Sequence, residues 1–398
     1  MDAAHAADGS VPPVRRWLAV GRSSDENAIA AGRQAAAEAM QSDDAKLLIV
    51  FCSDAYDLDA LLTGIRERSG DVPLIGCSTA GEIATDGPGD ASVVVTALGG
   101  PGFNVRTSAA IDVSDRLREA GAEVATAAKG LDDDPHGVLM LLSDGLAGDQ
   151  QEIVRGVYGV VGAAVPLVGG CAGDDLKMHA TYQLYGGRVL SNAVVSAAIG
   201  SDAPLGIGVR HGWRRVGEPM LVTRSEGNRV HMLDNQPALD VYLERLDAPA
   251  EAHVDAAAFT RFALMHPLGL ARRSGEEHVR FVGDADFTER SLGCIAQVPQ
   301  GGLAWFMEGD DASVLAATDA ACADALSPLG GRDPIGMIAF DCIARRGVLG
   351  DGIATEVAHV AARAGGAPVA GFYTYGEIAR TRGVSGFHNQ TLVVLALG

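Results

Sequence analysis

PLIGCSTAGEI (73–83) and PVAGFYTYGEI (368–378) decide how this chain is read. Each opens with proline and an apolar run. The two agree at Gly76/Gly371, Gly81/Gly376, Glu82/Glu377 and Ile83/Ile378. A third stretch, PLVGGCAGDD (166–175), starts the same way, is one residue shorter between Gly169 and Gly173, and carries Asp174 at the place of the glutamates. One shared motif would be weak support for a repeat, but the agreement extends outward on both sides.

Ahead of each stretch lies a β-rich apolar run: KLLIVFCSD (46–54), GVLMLLSDG (137–145) and GMIAFDC (336–342). A helical segment follows each run, near 58–69, 149–161 and 353–364. Behind each stretch comes another apolar run: VVVTAL (93–98), VLSNAVVSAAI (189–199) and TLVVLAL (391–397). WLAVG (17–21) and LAWFMEGDD (303–311) read as opening strands of the first and third units, each leading into a helix, and 113–129 reads as helical. The pattern is a β-α-β unit met three times. Continuous apolar strands imply sheets covered on both faces by helices, with function gathered beyond the carboxyl ends of the strands. Ser53-Asp54, Ser143-Asp144 and Asp341-Cys342 end the central strands, where they either line one rim or cap the next helix.

The stretch 212–302 breaks the repeat. EPMLVTRSEGNRVHML (218–233) reads as a hairpin turning at Glu226-Gly227-Asn228, and Asp234-Asn235-Gln236-Pro237 as the capped start of a helix to Arg245. The expectation is an α/β chain with a disordered tail (1–13) and two domains, 14–215 and 216–398, the second opening on a β-rich insertion.

Composition narrows the function. The 398 residues suffice for two or three domains. With 31 basic against 51 acidic residues the formal charge is −20, which disfavours nucleic acid and anionic membrane surfaces as partners. The six cysteines form no C-x-x-C pair, as expected of buried thiols in a reducing cytoplasm. No secretory signal is visible. The uncharged stretch 156–173 contains six glycines and Pro166, so it reads as a helix end plus a buried strand and not as a membrane span. P-loop, dinucleotide-binding, zincin and nucleophile-elbow motifs are absent, which points away from an enzyme.

From Val14 to the end the chain resembles the FIST family. The N-terminal part carries LLIVFCSD, PLIGCSTAGEI, PLVGGCAGDD and RHGW; the C-terminal part carries VTRSEGNRV, LDNQPALDVY, IAFDCIARR and AGFYTYGEIARTRGVSGFHNQTLVVLAL. The resemblance implies a stand-alone cytoplasmic sensor that reports a small-molecule ligand to a signalling partner, without turnover. Some stand-alone bacterial members are similar to nitric-oxide-sensing haemoproteins that regulate a histidine kinase, so haem is the implied cofactor. The other reading is a metal-free sensor of an amino acid or similar metabolite.

A haem sensor needs a histidine or thiolate ligand in an apolar pocket. His211, at the domain junction beside Trp213, is the first choice for that metal ligand, and His388 in GFHNQT the second. For a direct ligand site, the rim residues are Cys77, Ser78, Glu82, Cys171, Asp174, Asp341, Tyr373, Tyr375, Glu377 and Asn389. Glu82 and Glu377 either accept from a ligand or bridge loops. Tyr373 and Tyr375 flank the second copy of the motif, with one ring expected in the pocket and one in the core.

Overall fold

A computed structural model describes residues 15–271, 278–381 and 386–398; the expected tail 1–13 lies outside them. The three repeats are present, and each forms one six-stranded sheet. In every sheet the order begins with an outer strand (Trp17–Ser23, Phe103–Ile111 or Leu205–Arg210), followed by a returning strand (Val93–Gly99, Ala193–Ser201 or Leu392–Leu397). Next comes the central strand (Ala45–Cys52, His136–Ser143 or Gly336–Cys342) and its parallel neighbour (Leu74–Ser78, Leu167–Cys171 or Val369–Thr374).

The fifth strand is always borrowed. Glu82–Ala84 leaves the first unit and pairs with Val369–Thr374 of the third. Glu377–Arg380 leaves the third and pairs with Leu167–Cys171 of the second. Tyr182–Tyr185 leaves the second and pairs with Leu74–Ser78 of the first. The three hand-overs close a ring.

This arrangement explains the unbroken apolar strands. In the first unit Leu48, Val50 and Cys52 pack under the helices Ala28–Ala39 and Leu58–Ser69, while the alternating Leu47, Ile49 and Phe51 face the other sheets. Helices cover only one face of each sheet, where the apolar strands implied both, because the second face is buried against the neighbouring units. At the centre Phe51 lies 4.6 Å from Phe372 and 6.2 Å from Phe340, ring to ring.

The units do not respect the expected boundary between 215 and 216. Leu205–Arg210, the outer strand of the third unit, precedes it and pairs with Leu392–Leu397 at the chain's end. Leu303–Glu308, expected as that outer strand, instead belongs to the insertion, where it pairs with the strand Arg214–Glu226. Both runs are short and apolar, so hydropathy could not separate them. The insertion is an eight-stranded antiparallel sheet with its own core around Tyr242, Phe259 and Phe306. Its hairpin turns where expected, Glu226 opposite Arg229. The helix Ala238–Arg245 is present, but Asp234 accepts from Leu221 N (2.8 Å) and does not cap it.

The stretch 156–173 resolves into the end of the helix Gln150–Val161 and a buried strand. No helix among the described residues is long and apolar enough to cross a membrane.

Truncating the ring where the three sheets meet should be costly. Phe51→Ala is expected to lose about 3–5 kcal/mol of stability in urea unfolding; a loss below about 1 kcal/mol would show that the three-sheet centre does not hold the fold.

Candidate ligand-binding site

The repeated motifs converge on the axis of the ring. Ala80 N donates to Tyr373 O (3.1 Å), Tyr375 N to Cys171 O (3.2 Å) and Gly173 N to Ser78 O (3.0 Å), each bond running from one unit to the next. The axis is filled with backbone: a Cβ on Gly173 would stand 2.9 Å from Ala80 N. The strand ends therefore meet as expected, but in a packed plug and not around a hollow.

Glu82 and Glu377 fasten this plug. Glu82 accepts from Thr79 Oγ1, Ser92 N (3.1 Å) and Ser92 Oγ (2.6 Å). Glu377 repeats the pattern with Thr374 Oγ1, Thr391 N (3.1 Å) and Thr391 Oγ1 (2.8 Å). Both are loop bridges with their acceptors engaged. The middle unit's counterpart is Gln183 and not Asp174. Gln183 pairs with Cys77 in the sheet register that sets Glu82 opposite Phe372 and Glu377 opposite Gly170. With the amide oriented to satisfy its neighbours, Gln183 donates to Ala193 O and accepts from Asp144 N (3.2 Å each). The longer connection after Gly173 displaced it from the sequence pattern.

The remaining rim residues are also mostly structural. Cys77 and Cys171 are buried core thiols. Ser78 Oγ donates to Gly173 O (2.8 Å) and accepts from Tyr182 N (3.0 Å). Tyr373 packs inside, under the Arg346 guanidinium. Asp341 is sealed with Arg345, which also bonds Glu356, Thr318 Oγ1, Val314 O and His211 O. Burial and the Glu356 charge push Asp341 well above the usual carboxylate range. Burial works against the ionised Glu356 too, but Arg345 and its hydrogen bonds hold it low.

The open space lies beside the plug. A cavity of about 680 Å³ separates the third unit's rim from the insertion. Its cap is the helix Ala256–Leu264, which presents Ala257, Thr260, Arg261 and Leu264 at i, i+3, i+4 and i+7. Opposite stand Cys342, Ile343, Ala344 and Gly347, and Phe281 and Ile295 close one side. The two helices approach closely at Gly347, where a Cβ would stand 2.9 Å from Leu264 Cδ2. Tyr375 and Asn389 line the cavity, so of the two tyrosines one faces the pocket and one the core; strand alternation alone would set residues two apart on one face, and they part because the strand ends at Thr374, before Tyr375.

Leu176 and Met178 complete the wall by an unusual route. Asp175, Leu176 and Met178 all have positive φ (56°, 60° and 53°), a conformation that side-chain-bearing residues adopt at a cost. Asp174 holds the loop in shape, accepting from Met178 N (3.0 Å), His179 N (2.6 Å), Ala180 N (3.0 Å) and the Tyr375 hydroxyl. Burial opposes its ionisation, but these four donors keep Asp174 below the usual range. Asp174 therefore positions the wall and does not itself face the cavity.

Polar groups in the cavity are few. Asn389 is 1% exposed, and its Oδ1 has no hydrogen-bond partner. Cys342 keeps its proton: burial and the Glu377 carboxylate, which its thiol bonds, push it well up. No group of three or more metal-ligating side chains occurs among the described residues.

The two histidines do not suit an axial ligand here, since neither lines the cavity. His211 Nδ1 accepts from Trp213 N (2.9 Å), which places the neutral ring's proton on Nε2. His388 Nε2 lies 2.9 Å from Ala379 O, and its ring packs edge-on against His278. The residues present do not fit haem at this site.

A ring of three α/β units with an apolar cavity under a cap defines a small-molecule binding protein. The chain matches the FIST N domain over residues 46–236 and the FIST C domain over residues 238–380, and it belongs to the FIST family. FIST domains are sensor domains of signal transduction that bind small ligands. An uncharacterized protein of Methanocaldococcus jannaschii is 28% identical over 260 residues, 59% of this chain; the chain spans about half (49%) of that relative's length. Among solved structures, a cyanuric acid hydrolase from A. caulinodans aligns at 11% identity and TM-score 0.27, over 46% of this chain and 71% of its own.

Burial pushes Glu82 and Glu377 each up to about 7. Each binds its proton more tightly folded than unfolded, so the stabilisation is complete below the ordinary value of 4.5 and is lost as pH rises through 7. Gln183 shows that a neutral amide suits the position. The Glu82→Gln/Glu377→Gln protein should gain on the wild type by up to about 3 kcal/mol per site as urea unfolding is moved from pH 5 to pH 8. A difference constant with pH would refute this.

Proposed function

We propose that this FIST protein is a metal-free sensor whose small, largely apolar ligand occupies the cavity between the cap helix Ala256–Leu264 and the third unit's rim. The observation that carries the reading is the composition of that wall. Leu176, Met178, Leu264, Phe281, Ile295 and Ile343 come from three separate parts of the chain to enclose about 680 Å³, a volume typical of small-molecule sites. Leu176 and Met178 are each 61% exposed, and their strained backbone keeps them at the cavity instead of in the core.

Binding without turnover is the chemistry these groups support. The thiol in the cavity is held protonated, and the Asp341–Arg345–Glu356 cluster is closed to a ligand. All six cysteines are buried and unpaired, which suits a reducing compartment such as the cytoplasm. A signalling protein, on the family resemblance a histidine kinase, would read the position of the insertion. Haem-borne nitric oxide sensing would need an axial histidine from outside the cavity wall or a deprotonated Cys342.

The apolar fluorophore N-phenyl-1-naphthylamine should brighten on binding. Thr260→Trp, which fills the cavity from an exposed helix position, should weaken that binding about tenfold or more with the unfolding midpoint unchanged. Equal binding by the two folded proteins would place the probe elsewhere and overturn the assignment.

A further inference from the structure

Two groups of the cavity remain unmatched, and both bear on the ligand's chemistry. Asn389 Oδ1 is buried among apolar side chains without a donor. A buried amide oxygen left without a partner is destabilising, and a ligand hydroxyl or N–H would relieve it. The second is Arg261, on the exposed edge of the cap helix. This chain carries twenty more acidic than basic residues, and many of its guanidinium groups are engaged: Arg210 with Asp324, Arg214 with Asp310, Arg290 with Asp240, Arg346 with Asp90. Arg261 has no acidic partner among the described residues, although it borders an apolar cavity.

We infer that the ligand is an amphipathic organic anion: an apolar chain lying along Leu264, Phe281 and Ile343, a hydroxyl donating to Asn389 Oδ1, and a carboxylate at the mouth paired with Arg261. A purely apolar ligand would leave Asn389 unsatisfied. An amino acid of ordinary size would leave most of the apolar wall in contact with water. The guanidinium presents two parallel N–H donors, which fit a carboxylate. This inference rests on the cavity being the ligand site.

Calorimetry on the full chain with 3-hydroxydecanoate, decanoate and methyl 3-hydroxydecanoate separates the parts. The hydroxy acid should bind about tenfold more tightly than decanoate and about tenfold more tightly than its methyl ester. Arg261→Gln, a change at an exposed position, should abolish the preference for acid over ester and keep the preference for the hydroxyl. Asn389→Leu should do the reverse. Because the ligand series is read on the wild type, the inference stays testable even if a variant fails to fold. Equal binding of acid and ester, or of hydroxylated and plain chains, would overturn it. If N-phenyl-1-naphthylamine binds in the cavity while the acids bind no better than the ester, the ligand class is wrong and the site stands. If none of these compounds binds, both fall.

Discussion

Each sheet of this protein is completed by a strand from another repeat, and the three exchanges close on themselves. Glu82–Ala84 extends the third sheet, Tyr182–Tyr185 the first and Glu377–Arg380 the second. An unpaired sheet edge exposes a row of backbone donors and acceptors; here every such edge beside a parallel strand is covered by a neighbour. The same closure presses the inner faces of the sheets together around Phe51, Phe340 and Phe372. The alternate side chains of the central strands consequently have no polar option on either face.

The exchange also explains the repeated glutamates. A chain leaving one sheet for another must turn sharply at the axis, and the turn brings backbone N–H groups and hydroxyls into a dry environment. Glu82 and Glu377 accept from these donors. The middle unit solves the same problem with Gln183 after a longer connection. That extra length forms the loop around Asp174, which carries Leu176 and Met178 to the cavity. The cavity is thus built where the repeats differ: a longer connection in the second unit and an inserted domain in the third.

The three units, the strand–helix–strand order around each repeated motif and the equivalence of Gly76 and Gly371 were legible because they are local patterns of apolar period and glycine; the outer strand Phe103–Ile111, half polar, was not. The exchange of strands was not, since Glu82 carries no local mark of the sheet it will join. Leu205–Arg210 and Leu303–Glu308 are equally apolar, and only tertiary pairing distinguishes them. At the site, Tyr375 and Asn389 were found through their place beside the repeated motif. Arg261 and Leu264 were missed, although their spacing with Ala257 and Thr260 in AAFTRFAL (257–264) marks one helix face. Leu176 and Met178 also left a trace, as two large apolar residues inside the otherwise polar run DDLKMH.

The two walls of the cavity differ in stiffness, and that difference bears on how binding would be reported. The helix Ile343–Leu349 carries Ile343, Ala344 and Gly347 on one side and Arg345 on the other. Arg345 is fully buried, with five acceptors drawn from four segments of the chain. Moving it would separate buried charges from their partners, a cost of several kcal/mol. The cap helix Ala256–Leu264 buries only Phe259 and Ala263 completely. A hydrogen bond from Gln390 to Leu264 O (2.8 Å) ties it to the rim. On the proposed function, a ligand wedged between the two helices would displace the cap and leave the ring in place. Gln390 also accepts from the Trp213 indole through its backbone carbonyl (3.1 Å), so such a displacement would reach the junction where the insertion leaves the third unit.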